Sequence, residues 1–377
     1  MTRRALALAL LLLPSATTAS RAEEPFPIAV WLQSPDNAGR YREIGINTYV
    51  ALYRGPTEEQ LDKLDEAGMK AIVGQSERSL RFKDRPTITA WMHDDEPDNA
   101  QSLPDGEGYG PPVPPASIVE DYRAMKQADP TRPVLLNLGQ GVAWDGWVGR
   151  GVRTNHPEDY PEYLEGCDIA SFDIYPACHD REAVAGNLWY VPRGVDRLVS
   201  WTRDEKPVWC CIETTRISNP DHTPDPLDVR AEAWMALIHG ADGLIYFCHQ
   251  FEPRFIEAGL LAEPAIAREV ASINRRIQEL APVLRSPDRP DLARVESSDE
   301  GVPVDSAVRR LDGVTYVLSV AMRDGETTAT YRIPDLGDAL VEVLGEDRTI
   351  EAPGGSWQDR FEGYGVHLYR ITPASGR

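Results

Sequence analysis

Short apolar runs punctuate the first two thirds of the chain, each followed by a helical pattern or a long loop. Eight precede position 260: Pro27 to Gln33, Ile46 to Tyr53, Met69 to Gln75, Ile88 to His93, Val134 to Leu138, Ile169 to Tyr175, Val208 to Ile212 and Gly243 to Cys248. Runs so continuous, lacking a polar face, predict strands of a parallel sheet covered on both sides. The intervening segments carry helix signals. Thr57 precedes Glu58, Glu59 and Gln60 as a capping pattern, Leu61 and Leu64 follow, and Gly68 is the stop. Ser117 opens a second pattern, with Ile118, Tyr122 and Met125 on one face and Pro130 beyond its end. Trp234, Leu237 and Ile238 mark another, closed by Gly240, and Ile266, Val270, Ile273, Ile277 and Leu280 mark the last. The first and third crossovers are too short for full helices. Eightfold alternation of strand and helix predicts an α/β fold, a (β/α)8 TIM barrel.

At Ser286 the pattern changes. Ser-Pro-Asp-Arg-Pro reads as a linker, and period-two runs replace helical ones: Thr315 to Ala321, Thr328 to Ile333, Ala339 to Leu344 and Val366 to Ile371, with turns at Asp324-Gly325 and Gly354-Gly355. A C-terminal antiparallel β-sandwich domain is expected over 286–377, after a barrel over 23–285. A Pro/Gly-rich loop, Leu103 to Pro115, follows the fourth strand.

Residues 1–22 read as an export signal, with Arg3 and Arg4, an apolar run from Ala5 to Pro14, and small residues before Ala22. That run is too short to span a bilayer, so the expectation is a secreted or periplasmic protein without a membrane partner after cleavage. Net charge matters next. At −21 across 377 residues, with no run of Lys and Arg, the chain is a poor partner for nucleic acid. A neutral ligand such as a carbohydrate meets no such barrier. Five cysteines leave at least one thiol unpaired, and Cys210, Cys211 and Cys248 lie inside strand-like runs where packing explains them.

In barrels of this kind the strand C-termini face the site. The fourth strand ends Trp91-Met92-His93-Asp94-Asp95-Glu96-Pro97, which sets three consecutive carboxylates at the mouth. Such crowding raises at least one pKa, and a carboxyl kept protonated near neutrality can act as a general acid. The seventh strand closes on Glu213, a costly residue at the end of a buried run. Strands four and seven lie on opposite sides of an eight-stranded barrel, so Glu96 and Glu213 are expected to face each other, the equipment of glycoside hydrolysis.

On these residues the sequence resembles clan A of the glycoside hydrolases, the retaining (β/α)8 glycosidases. The resemblance implies that Glu96, in Asp95-Glu96-Pro97, is the acid/base and that Glu213 is the nucleophile. Asp95 stands where the clan usually has Asn, the residue that holds the substrate's 2-hydroxyl. Tyr175, ending strand six in Asp173-Ile174-Tyr175-Pro176, matches a tyrosine that often hydrogen-bonds the nucleophile. Arg54, Asn137, Trp147, Phe247 and His249 lie at or just after strand ends and are the further candidates for substrate binding. No cofactor is expected. His93, His179 and His249 with Asp94, Asp95 and Asp173 could hold a metal, but the first strand lacks an HxH pair and no metal site is expected. The sequence therefore predicts an exported glycosidase acting on a poly- or oligosaccharide by double displacement. The alternatives are a catalytically silent glycan-binding barrel and a metal-dependent hydrolase.

Overall fold

A computed structural model describes residues 24–104 and 106–373. The expected export signal lies outside the described residues. The barrel strands are β1 (Ile28–Trp31), β2 (Thr48–Val50), β3 (Lys70–Gly74), β4 (Ile88–Met92), β5 (Val134–Leu138), β6 (Ile169–Phe172), β7 (Val208–Glu213) and β8 (Gly243–Phe247), and they close in that order into a parallel barrel. Ala29, Trp31, Val50, Ile72, Ala90, Met92, Leu135, Trp209, Cys211 and Ile245 fill its interior, while alternate residues such as Val30, Trp91, Leu136 and Cys210 pack outward under the helices. Both faces are apolar, which is why the strands lack a polar alternation.

The helices are α1 (Ala38–Glu43), α2 (Glu58–Glu66), α3 (Glu77–Leu80), α4 (Pro115–Ala128), α5 (Tyr160–Tyr163), α6 (Tyr190–Trp201), α7 (Pro226–Ile238), α8 (Gly259–Ala262) and α9 (Pro264–Leu284). The crossovers expected to be short, α1 and α3, have six and four residues. Thr57 caps α2 as its sequence predicts, exchanging hydrogen bonds with Gln60. Helix α4 begins two residues before Ser117, because Pro115 occupies its first position with a fixed, helix-compatible φ.

Beyond the barrel, β10 (Val304–Leu311), β11 (Val314–Ala321), β16 (Val366–Pro373), β13 (Ala339–Val343) and β14 (Arg348–Ala352) form one antiparallel sheet in that order. β15 (Ser356–Phe361), β12 (Thr327–Arg332) and β9 (Arg294–Ser297) form the second. Tyr331, Trp357, Phe361 and Tyr369 are buried in the core between them. The opposite face of the larger sheet is not free. Ala307, Leu318, Val320, Met322 and Leu368 belong to the same continuous core as the barrel helices. His239, which caps α7, adds a polar clasp there, with Nδ1 2.8 Å from Asp196 of α6 and Nε2 3.3 Å from Asp305 of β10. The second of these is an ion-pair contact without hydrogen-bond alignment.

Candidate active site

The chain leaves β4 through buried His93, which pairs with the Gly166 carbonyl at 2.8 Å, and turns sharply across Asp94 to Asn99. Glu96 sits in the left-handed region at φ 44°, where a side chain costs on the order of 1 kcal/mol. Its surroundings hold it there. The Glu96 N–H donates to the Asn137 carbonyl at 3.1 Å, and the Asn99 N–H donates to the Glu96 carbonyl at 3.0 Å. Asp98, fully buried, anchors the turn by accepting the Gly139 N–H at 2.8 Å and the Tyr160 hydroxyl at 2.9 Å, with Arg150 Nε 4.0 Å away. Asp98 was not singled out in the sequence; its role depends on partners 41 and 62 residues away.

Around this turn the carboxyls gather. Asp95 accepts from Asn137 Nδ2 at 2.9 Å, and the same nitrogen lies 3.4 Å from Asp173. Asn137 is oriented in turn by the Ser171 hydroxyl, which donates to its Oδ1 at 2.5 Å. Asp173 and Glu96 bring their carboxyl groups within hydrogen-bonding reach of each other. Burial first, then the charge of Glu96, pushes Asp173 well above the carboxylate range. Glu96 is raised to about 7, by burial and then by the charges of Asp95 and Asp98. Asp95 is raised to about 6, chiefly by the protein massed around it, although the residue itself is exposed to solvent. No lysine or arginine is among the leading influences on Asp95, Glu96 or Asp173. Arg150 stands behind Asp98 and offsets part of the burial that raises it.

Glu96 is seated against a glycine. A Cβ at Gly139 would stand 2.7 Å from Glu96 Oε1 and 2.8 Å from Asn99 Nδ2. Asn99 Oδ1 accepts from Trp147 Nε1 at 2.8 Å, so the seat continues into an aromatic wall. In that wall the Trp144 and Trp147 rings lie 5.8 and 6.5 Å from the His179 ring, both edge-on, and His179 Nε2 pairs with Gln140 at 2.8 Å.

Glu213 is placed differently from Glu96. It is wholly buried, and its two oxygens accept the amides of Ala177 at 2.6 Å and Cys178 at 2.9 Å. Glu232 of α7, also wholly buried, lies beside it, and neither of its carboxyl oxygens has a hydrogen-bond donor. Burial lifts both groups, Glu213 to about 7 and Glu232 well above its ordinary range. Tyr175 does not bond to Glu213. The Tyr175 hydroxyl is buried without a hydrogen-bond partner, and the leading charges upon it are Asp173, Cys211, Glu96 and Asp95. The reason is local: the backbone turning out of β6 already supplies Glu213 with donors, which leaves the tyrosine on the side of the Asp95–Glu96–Asp173 cluster. Glu232 had a signal in the sequence, a lone carboxylate in the apolar stretch Ala231 to Ile238.

Of the other candidates, Phe247 packs on Tyr175 with ring centroids 5.0 Å apart, and His249 lies 5.3 Å beyond Phe247 and pairs with Gln33 at 3.2 Å. Arg54 is exposed after β2, stacked on the Tyr53 ring at 5.1 Å. Among the described residues no group of three or more His, Cys, Asp or Glu side chains has the arrangement of a metal site. No described helix is long and apolar enough to cross a membrane. A cleft of about 940 Å³ lies at the other end of the barrel, lined by Pro27, Pro207 and Asp242 just before their strands and by Ile169 at the start of β6, away from the carboxyl cluster.

No protein-family model and no curated protein matches the sequence. Solved structures do resemble the fold. The chain is similar to AmyP in complex with maltotriose (TM-score 0.55, 9% identity, 96% of this chain and 100% of that one). It is also similar to the α-amylase of Geobacillus thermoleovorans complexed with acarbose (TM-score 0.54, 10% identity, 94% and 100%). A third likeness is to the α-L-arabinofuranosidase of Thermotoga maritima in its arabinose complex (TM-score 0.50, 12% identity, 90% of each chain). At these identities the likeness defines the class of fold, a (β/α)8 barrel followed by a β-domain, and the chemistry must be argued from the site.

Proposed function

We propose that the protein is an exported glycoside hydrolase whose barrel, up to about residue 285, carries the reaction, with Glu96 as general acid. The observation that carries this reading is the carboxyl cluster at the strand C-termini, in which Glu96 is raised to about 7 beside Asp95, raised to about 6. Between those values one group holds a proton while its neighbour is ionised, the division of labour that cleavage of an acetal requires. Glu96 gives its proton to the departing glycosidic oxygen as the bond to the anomeric carbon breaks, and Asp95 stabilises the positive charge that develops on the sugar. Asp173, protonated, lies within reach of Glu96 and steadies the carboxylate left behind. Glu96 then takes a proton from the incoming water. Trp144, Trp147 and Phe247 offer ring faces and Asn137 an amide for the sugar's apolar and hydroxyl surfaces.

Two observations support a second reading of the nucleophile. Glu213 ends β7, and its two amide donors are suited to a carboxylate that must stay ionised. In that reading Glu213 attacks the anomeric carbon and configuration is retained. Release of reducing sugar from a panel of polysaccharides tests the activity itself, since a silent glycan-binding barrel would retain a glycan without cleaving it. On a cleaved substrate, Asp95→Asn and Glu213→Gln separate the two partners for Glu96, and proton NMR of the first-formed anomer gives the stereochemistry. Loss of turnover in Asp95→Asn with Glu213→Gln nearly unaffected is expected. The reverse would assign the nucleophile to Glu213.

A further inference from the structure

The aromatic contacts beside the carboxyl cluster do not stop at Phe247. The Phe251 ring lies 6.2 Å from Phe247, the Phe255 ring 5.7 Å from Phe251, and His249 stacks on both at 6.2 and 5.8 Å with interplanar angles of 21° and 19°. Tyr175 and His249 are 7% and 6% exposed, whereas Phe251 and Phe255 reach 45% and 61%. A lone exposed phenylalanine is unremarkable, but here rings in mutual contact run outward from the carboxyl cluster.

The loop bearing them is held in shape. Gln250 and Ile256 exchange backbone hydrogen bonds at 2.9 Å, and the Phe251 N–H donates to the Arg216 carbonyl at 3.0 Å. The Ser34 N–H donates to Glu257 at 2.6 Å, and Gln33 Nε2 donates to the Glu257 carbonyl at 3.0 Å, which ties the loop to the chain after β1. Rings fixed before a ligand arrives lose little conformational freedom on binding it.

Resting on the glycosidase reading, we propose that Phe251 and Phe255, backed by the buried His249, form a second sugar-binding platform that engages a neighbouring unit of the chain, so that the substrate is an uncharged oligo- or polysaccharide rather than a short glycoside. Stacked aromatic faces suit the C–H faces of sugar rings. Anionic chains are disfavoured because Asp94, Asp95 and Glu96 stand at the same mouth and the protein carries a net charge of −21.

The test separates binding from cleavage. Affinity electrophoresis of the Glu96→Gln protein through gels containing soluble β-glucan, xylan, mannan, starch or polygalacturonate gives a dissociation constant without turnover. At least one neutral glycan should retard it, polygalacturonate should not, and Phe251→Ala with Phe255→Ala should weaken retardation at least about fivefold. Leu227→Ala, which removes an exposed apolar side chain from α7, should change nothing. On a cleaved substrate, the double Phe variant should raise KM for long chains and leave kcat for a short aryl glycoside unaltered. Unchanged retardation in the Phe variant, absence of retardation on every neutral glycan, or preference for polygalacturonate would overturn the platform. Retardation lost in the Phe variant, with no glycan ever cleaved by the wild type, would keep the platform and remove the hydrolase.

Discussion

Replacing Gly139 with alanine probes the seat of the proposed acid without touching the acid itself. The added Cβ would lie 2.7 Å from Glu96 Oε1, about 0.7 Å short of the 3.4 Å at which ordinary contact begins, and 2.8 Å from Asn99 Nδ2. Backbone strain is not at issue, since Gly139 has φ −82° and ψ −172°, which alanine adopts freely. The cost therefore falls on the two side chains, which must retreat while Asp98 and Asn137 hold the turn in place. Overpacking of this kind costs about 1–3 kcal/mol, offset by about 0.4–1 kcal/mol from the less disordered unfolded chain, so a net loss of no more than about 2.6 kcal/mol is expected. A displacement approaching 1 Å in a reacting group can cost on the order of a hundredfold in rate, so turnover should fall on the order of tenfold to a hundredfold. The assay is reducing-sugar release on whichever polysaccharide the wild type cleaves, with thermal unfolding measured alongside. Gly74→Ala, where a Cβ meets nothing within 4 Å, is the control. Wild-type turnover in Gly139→Ala, on a substrate that Glu96→Gln leaves uncut, would refute the idea that this contact places the acid.

Glu96→Gln should lower kcat by about 10²–10⁴ with little change in unfolding temperature, read by the same assay with circular dichroism. Activity should need Glu96 protonated and Asp95 ionised, so the pH profile of the wild type should fall on the alkaline side near 7 and on the acid side near 6. His239, raised from 6.5 to about 9 by Asp196 and Asp305 against the opposing effect of burial, gains stability on folding when protonated. That contribution is whole below the unfolded value and is lost as pH rises through about 9, up to about 3 kcal/mol, and a His239→Gln variant should lack this loss in urea titrations at pH 6 and 9.5. Deleting the chain from residue 286 should leave α7 and its neighbours uncovered and produce aggregation or a lowered unfolding temperature, seen by light scattering and calorimetry.

The barrel strands are legible because burial on both faces forces continuous apolar runs, and the sequence intervals cover β1 to β8 except for Glu213, the last residue of β7. The β-domain is less so. β10 carries Asp305, Arg309 and Arg310, while β9, β14 and β15 are short strands with charged exposed positions, so none shows the apolar run that marks β11 or β16. In the site, Asp95 and Glu96 stand out as a local carboxylate run, whereas the placing of Asp173 beside Glu96 and of Glu232 beside Glu213 brings together residues from separate elements, and no spacing along the chain encodes it. Tyr175 illustrates the limit: its strand end is predicted by pattern, but which carboxylate its hydroxyl faces depends on how the backbone after β6 folds over.

All five cysteines are buried and none is paired, with Cys210 packed outside the barrel sheet and Cys211 within it. Burial lifts every one of these thiols away from the reactive thiolate form. In an oxidising compartment, their protection would therefore be kinetic, lasting as long as the fold stays closed. The rate at which a thiol reagent consumes them reports how often the barrel opens, and oxidation before folding is complete would lock in bridges that the native packing never makes.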